Sequence, residues 1–411
     1  MESQNEVYIG IDINNRSTLL SFYKPNMEEP VTVSTVVGSE NYSIPTLLAK
    51  KKGIGQWFYG DEAQRKVKFG EAVAVSDVLN LALSAAEVTV DGQIYEAREL
   101  LVLYFKKLFS IPGVMAATER LKKLIICVDQ MSLEMMELMT YVASRLDISA
   151  ERLSIIDRQE SFYYYGLSQK KELLLYDIVL FDFSGSNLVS NYLTRNQNTR
   201  PQVISIDTAN HGEIEDNRDS AFDAIVKDRL SGNLVSAVYL VGDGFEGNWM
   251  KTSLSTLCKG RKVFMGNNLY SKGACYCGAV KDGTREWPFI YIGANELKLN
   301  LSIKILDENE LKFITLIDAG ESWYEAKGEC EVILDGEPDI EFYIQRPESR
   351  EAHVEVLELT DLPERENRTT RLKIDALPVS DREIDITIFD MGFGEISPAT
   401  GMTWKHTIAL R

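Results

Sequence analysis

Three apolar runs, each stopped by a cluster of small or turn-forming residues, constrain this chain more than any other feature. The first is Ile9-Gly10-Ile11-Asp12-Ile13, which runs into Asn14-Asn15-Arg16-Ser17. The second is Val179-Leu180-Phe181-Asp182-Phe183, which runs into Ser184-Gly185-Ser186-Asn187. The third is Val238-Tyr239-Leu240-Val241, which runs into Gly242-Asp243-Gly244-Phe245. Short apolar runs rich in β-branched and aromatic residues and bounded by Gly, Asn or Ser predict buried strands. The first two carry an Asp just as the run ends, so each should place a carboxylate where a strand meets its turn.

The chain has 411 residues, enough for two or three domains with substantial cores. Hydrophobic residues at 45% and charged residues at 26% fit an ordinary globular protein. Lys and Arg total 44 against 62 Asp and Glu, a net charge of -18, which argues against a nucleic-acid partner because no phosphate backbone would be attracted to it. The stretch Met1 to Glu6 lacks a basic segment followed by an apolar one, so no signal peptide is expected. No apolar run approaches about 18 residues, so no membrane span or membrane partner is expected. The five cysteines are Cys127, Cys258, Cys275, Cys277 and Cys330, an odd set that reads as reduced thiols in a cytoplasm. Cys275 and Cys277 lie one residue apart, but without a second Cys or His pair they read as packing residues rather than zinc ligands. His211, His353 and His406 are scattered and suggest no metal cluster.

Along the chain, residues 7 to 23 read as strand, turn, strand, with Val31 to Val37 continuing the sheet. Asp61, in Gly60-Asp61-Glu62-Ala63, is expected to cap a helix. Helical spacing marks Ala97 to Phe109, Ser132 to Leu146 and Ser220 to Leu230. The methionines Met135, Met136 and Met139 read as core filler. Lys123 to Val128 and Ser154 to Asp157 read as strands, the latter followed by a helix over Gln159 to Leu167. From Trp287 onward the texture changes to short alternating strands, including Leu297 to Ile305, Leu311 to Leu316, Gly328 to Leu334, Ile340 to Gln345, Ile384 to Asp390 and Trp404 to Leu410. The apolar stretch Glu286-Trp287-Pro288-Phe289-Ile290 reads either as an interdomain linker or as the start of a buried strand at Trp287.

The order of the three runs resembles the two phosphate loops and the adenosine loop of the actin-like ATPase superfamily, most closely its DnaK-type heat-shock chaperone branch. Supporting pieces are Gly60-Asp61-Glu62-Ala63 and Tyr165-Gly166-Leu167 just before the second run. Gly273-Ala274-Cys275-Tyr276-Cys277-Gly278-Ala279 is similar to the helix that closes the family's ATPase domain. The closing part, from Val354-Glu355-Val356-Leu357 through Arg371 to Ala376 and Ile384 to Asp390 to Trp404-Lys405-His406, is similar to the chaperone β-sandwich that binds peptides. The resemblance implies an α/β actin-like ATPase-type domain with ribonuclease H-like duplicated lobes over 1–285, lobe I about 7–165 and lobe II about 170–285. An all-β sandwich over 288–411 would follow. Only roughly fifty residues separate Asn187 from Val241, so the helical subdomain that supplies one wall of the adenine pocket is expected to be missing. No helical lid is expected after the sandwich.

The resemblance also assigns a site. Asp12 and Asp182 would hold magnesium through water, or alternatively each would cap its turn through an Asx hydrogen bond. Asn14, Asn15, Ser184, Gly185, Ser186 and Asn187 would surround the phosphates of ATP or ADP, with Gly242 and Gly244 at the adenosine. Family loops carry Gly-Thr-Thr and a triple glycine where this chain has Asn14-Asn15-Arg16 and Ser184-Gly185-Ser186-Asn187, so backbone approach to phosphate is impaired. The acidic position of the family's Glu-Pro pair falls to Asp157 or Glu160, and its catalytic lysine to neither Lys66 nor Lys68 in particular. Two functions follow. One is a protein- or peptide-binding module on a degenerate, non-enzymatic actin-like domain whose nucleotide binding is weak or lost. The other is a working chaperone ATPase that couples magnesium-dependent hydrolysis to peptide binding by the sandwich.

Overall fold

The computed structural model describes residues 6–34, 41–214 and 216–409. The chain is mixed α/β in its first part and β-rich in its last, and it divides into two compact units. One comprises Met1–Thr194 with Ile206–Trp287, and the other Arg195–Ser205 with Pro288–Arg411.

The first unit opens with β1 (Val7–Ile13) and β2 (Ser17–Tyr23), an antiparallel hairpin, followed by β3 (Val31–Thr32) and β4 (Ile44–Pro45), which both pair with β2. β3 is shorter than the expected Val31 to Val37, and residues 35–40 lie outside the described residues. β5 (Leu48–Lys51), β6 (Trp57–Tyr59) and β7 (Ala72–Val75) form a small sheet around α1 (Gly60–Lys68). Asp61 is not the cap expected of it: Tyr59 holds that position, and Asp61 lies in the first turn, where its charge complements the helix N-terminus. Then come α2 (Val78–Leu83), the hairpin β8 (Glu87–Val90) and β9 (Gln93–Glu96), α3 (Ala97–Phe109) and α4 (Pro112–Thr118). β10 (Leu121–Val128) and β11 (Leu153–Asp157) add in parallel on the other side of β1, separated by α5 (Leu133–Ser144), whose Ser132 cap accepts from Met135 N at 3.1 Å. Met135 and Met139 are core residues of this half, packed with α3. α6 (Arg158–Leu167) follows directly from β11.

The second half repeats the plan. β12 (Asp177–Ser184) and β13 (Asn187–Asn196) form an antiparallel hairpin that continues into β14 (Gln202–Glu213). After α7 (Arg218–Leu230), β15 (Val235–Val241) lies parallel to β12; after α8 (Thr252–Leu257), β16 (Lys262–Met265) lies parallel to β15. The first sheet therefore reads β3-β2-β1-β10-β11 and the second β14-β13-β12-β15-β16: the same five-strand order with the same senses of its central pairings.

α9 (Leu269–Lys281) and α6 lie between these sheets at minimal spacing. A Cβ on Gly10 of β1 would come within 2.2 Å of Ser271 O, and one on Gly273 within 2.1 Å of Ser161 O. Only glycine allows the helix to approach a strand on one side and a second helix on the other. Cys275 and Cys277 are buried in this same contact, Cys275 against the Tyr8 carbonyl. Trp287 does not begin a strand; it packs on Tyr163 and Tyr164 at the end of the first unit.

In the second unit, residues 202–204 pair in parallel with β17 (Phe289–Tyr291). Two four-stranded antiparallel sheets follow, built from β18 (Asn300–Asp307), β19 (Glu310–Ile317), β20 (Gly328–Ile333), β21 (Asp339–Gln345), β22 (His353–Glu358), β23 (Arg371–Pro378), β24 (Glu383–Asp390) and β25 (Thr403–Ala409). Their orders are β19-β18-β21-β22 and β20-β23-β24-β25. Alternating apolar residues such as Leu301, Ile303, Phe342, Ile374 and Ile386 fill one shared core. A buried ion pair closes one end: both Arg365 guanidinium nitrogens donate to Asp390 at 2.8 Å, and Thr400 adds its N–H and hydroxyl. These donors hold the Asp390 carboxyl well below the usual range, with Arg365 the largest cause.

Candidate functional site

The repeated topology brings the two predicted aspartates to equivalent positions. On β1, Asp12 pairs with Leu19 of its hairpin partner and Cys127 of β10; on β12, Asp182 pairs with Val189 and Val241. Each hairpin partner is seven residues downstream, so both carboxylates sit at the same distance from their turns. The same register relates Asp129, two residues past Cys127, to Asp243, two residues past Val241.

Between these carboxylates stands Arg158, the first residue of α6. Its Nη2 lies 3.3 Å from Asp12 Oδ1, and its Nη1 lies 3.0 Å from Asp129 Oδ1 and 3.8 Å from Asp182 Oδ2. Its guanidinium also stacks on the Tyr270 ring, 4.9 Å from the centroid. Asp182 is engaged further by the Tyr270 hydroxyl at 2.8 Å and the Ser184 hydroxyl at 2.5 Å. Asp157 caps α6 by accepting from Glu160 N at 2.7 Å, while Glu160 faces Lys281. The residue that the strand-to-helix corner sends to the aspartates is thus a cation, neither Asp157 nor Glu160.

Asp12 is 3% exposed, and burial pushes its carboxyl up to about 6; Arg158 opposes that shift, while Asp129 and Asp182 add to it. Tyr270 is held well above its ordinary range, first by burial and then by Asp182.

The turns that were expected to cradle phosphate are occupied by their own side chains. Asn14 Oδ1 accepts from Arg16 N at 2.8 Å and from Ser17 N at 2.9 Å, an Asx turn. Asn15 Oδ1 accepts from Asn80 N at 3.1 Å. Gly185 takes φ +65 in the two-residue turn between β12 and β13, and its N–H donates to Asp243 Oδ1 at 2.6 Å. Ser186 completes that turn and its carbonyl accepts from Ile214 N. Gly242 N donates to Asn267 Oδ1 at 2.8 Å. Gly242 and Gly244 are needed for close packing: a Cβ on either would fall within 2.5 Å of Phe183.

A cleft of about 680 Å³ opens over this cluster. Of the expected site residues, Asn14, Asn15, Asp182, Ser184 and Asn187 line it, whereas Asp12, Gly185, Ser186, Gly242 and Gly244 do not. Lys66 is paired with Glu71 at 2.7 Å, and neither Lys66 nor Lys68 lines the cleft. Arg158, Asp129, Asp243 and Tyr270 were not singled out by sequence reasoning. The equal spacing of each Asp from its turn, applied to the following parallel strand, would have marked Asp129 and Asp243.

These residues do not fit a magnesium nucleotide. A cation of the chain's own holds the place between the aspartates, and the amides of Asn14, Arg16, Ser17, Gly185 and Gly242 in the loops are already bonded within the chain. Among the described residues, no group of three or more His, Cys, Asp or Glu has the arrangement of a metal site. No helix among them is long and apolar enough to cross a membrane.

The raised Asp12 carboxyl gives a signed pH dependence. Because it ionises later in the folded chain than the ordinary 3.8, its contribution to stability is present below pH 4 and lost as pH rises toward 6. Against an Asp12→Asn variant, the wild type should lose about 3 kcal/mol between pH 4 and pH 7, read by urea unfolding at each pH. A difference that stays flat over this range contradicts the assignment.

Comparison with known families gives two matches. The family described as "Family of unknown function (DUF5716) C-terminal" matches residues 29–294, and "Domain of unknown function (DUF8552)" matches residues 296–410. No curated protein matches the chain. The second match covers β18 to β25, the two antiparallel sheets. The first covers well over half of the chain, which belongs to the family described as "Family of unknown function (DUF5716) C-terminal".

Proposed function

We propose that the chain is a non-hydrolysing member of the actin-like ATPase superfamily, related to its heat-shock chaperone branch, which works as a binding platform. The observation that carries this reading is the Arg158 guanidinium lodged among Asp12, Asp129 and Asp182. An active site of this class needs those carboxylates to orient metal-bound water against phosphate. Here a cation of the chain's own is paired with them, and displacing Arg158 would break those pairs in a mostly buried place.

The superfamily assignment is supported by the five-strand order shared by the two sheets and by the matching register of Asp12 and Asp182. The pocket expected for adenosine is replaced by tight packing: Gly242 and Gly244 close onto Phe183, and the Phe245 ring stacks on Trp249.

Interaction through the second unit is supported by the outward face of the sheet β19-β18-β21-β22. Leu311 and Phe313 on one edge strand and Val354 and Val356 on the other are all exposed, and Phe313 meets Tyr343 edge-on at 4.9 Å. Apolar side chains gathered on a solvent-facing sheet are an interaction signature.

Calorimetric titration of the full chain with ATP and with ADP, with and without magnesium, should give no binding heat up to about 1 mM, where a free energy of only ~4 kcal/mol would register. Micromolar binding with turnover that Asp182→Asn abolishes would establish the working ATPase instead. Probing a peptide array with the full chain should give capture that Phe313→Ser together with Val356→Ser reduces at least about tenfold, since both side chains bury in the complex. Capture unchanged in that variant removes the sheet face from the reading.

A further inference from the structure

We infer that the cleft above the arginine cluster binds a neutral, polyhydroxylated ligand of monosaccharide to disaccharide size. The inference rests on the closed phosphate site proposed above, because an open one would commit the same space to a nucleotide.

The argument begins at Asn191 on β13, which lines the cleft although it is only 6% exposed. Its Oδ1 accepts from the Thr208 hydroxyl at 2.7 Å, and Thr208 in turn accepts from Gln159 Nε2 at 3.0 Å. That relay consumes the acceptor side of the amide. The Asn191 Nδ2 hydrogens have no protein partner among the described residues, in a side chain more than nine-tenths buried. Because Asn191 lines the cleft, these hydrogens are open to a ligand bound there.

Its neighbours are of the same kind. Asn187 stands four residues earlier on β13 and so on the same face, with Val189 between them, and all three line the cleft. Across the cleft stand Asn80 of α2 and Gln130 after β10. The side chains of Asn187, Asn80 and Gln130 make no hydrogen bond among the described residues. Each carboxamide offers two N–H groups and one carbonyl, and this donor-and-acceptor pairing is what adjacent hydroxyls on a ring can satisfy.

Charge excludes an anionic ligand, and the free hydrogen-bonding groups select among the rest. The carboxylates at the cleft floor are engaged, Asp129 and Asp182 by Arg158 and Asp157 by the α6 amide. Arg158 is spent on its three carboxylates, so no spare cation at the floor would hold a phosphate. The side chains left without a protein partner among the described residues, Asn187, Asn80 and Gln130, are uncharged carboxamides. Leu79, Leu83, Met131 and Met135 supply an apolar wall for the C–H face of a ring, and about 680 Å³ is within the range of small-molecule pockets.

The test is calorimetric titration of the full chain with D-glucose, maltose, myo-inositol, spermidine and magnesium ADP. At least one of the three neutral probes should bind with Kd below about 1 mM. Asn191→Ala should weaken it about tenfold or more, and Asn187→Ala and Gln130→Ala, at sites the core does not depend on, should do the same while leaving the thermal midpoint unchanged. No heat from any neutral probe at about 20 mM, or equal heat in wild type and variants, overturns the inference. Binding of spermidine in place of the neutral probes overturns it too, because the cleft would then be selecting charge. Binding of magnesium ADP overturns the closed-site reading, whatever the sugars do, so the two failures are separable.

Discussion

A guanidinium surrounded by three carboxylates in a mostly buried place cannot be removed cheaply. Stripping one partner from a buried ion pair costs about 3–5 kcal/mol, because the remaining charge is left without water or counter-ion. Arg158 therefore ties β1, β10 and β12 to the start of α6, and so joins the two sheets of the first unit at the point where their central strands end. The Tyr270 ring beneath it adds α9 to the same junction. Electrostatics at the centre and glycine-mediated packing along α9 are two halves of one arrangement: Gly10 and Gly273 bring the helix close enough for Tyr270 to reach Asp182.

The repeated sheet plan explains why the cluster has this composition. Two copies of one topology, placed with central strands ending at a common cleft, present equivalent residues from each copy. Asp12 and Asp182 are one such pair, Asp129 and Asp243 another. A symmetric arrangement of four carboxylates would repel itself, and the chain resolves this unequally. In the first copy Arg158 pairs with both carboxylates; in the second Asp243 accepts from the Gly185 amide. That inequality leaves a guanidinium among the carboxylates of the first copy and a backbone amide on Asp243 of the second.

Much of the architecture was legible because strand periodicity and turn residues are local signals. The α3 bounds and the second-unit strands Ile340 to Gln345 and Ile384 to Asp390 follow from alternation and spacing alone. The hairpin ends at Asn14 and Gly185 were marked by the residues that turns require. What was not legible depended on distances across the chain. Arg158 is one residue from Asp157 in sequence, yet its role is set by Asp12, 146 positions away. Gly242 and Gly244 suggested a ligand loop, and only the position of Phe183 shows the packing that demands them. Asp61 looked like a cap from its place in Gly60-Asp61-Glu62-Ala63, but the helix begins at Gly60, two residues earlier than that reading required. Asn191 carries no sequence signal at all, since a lone Asn within an apolar strand is as compatible with a solvent face as with a cleft.

The claim on which the rest depends is that Arg158 stands where a divalent cation would otherwise sit. Manganese binding followed by electron paramagnetic resonance at pH 8, where Asp12 is ionised, tests it in wild type and in Arg158→Gln. The account predicts no site in the wild type and one bound ion in the variant, at least about tenfold tighter than any wild-type binding, since three carboxylates are then left without their cation. Equal manganese binding by the two proteins would contradict it.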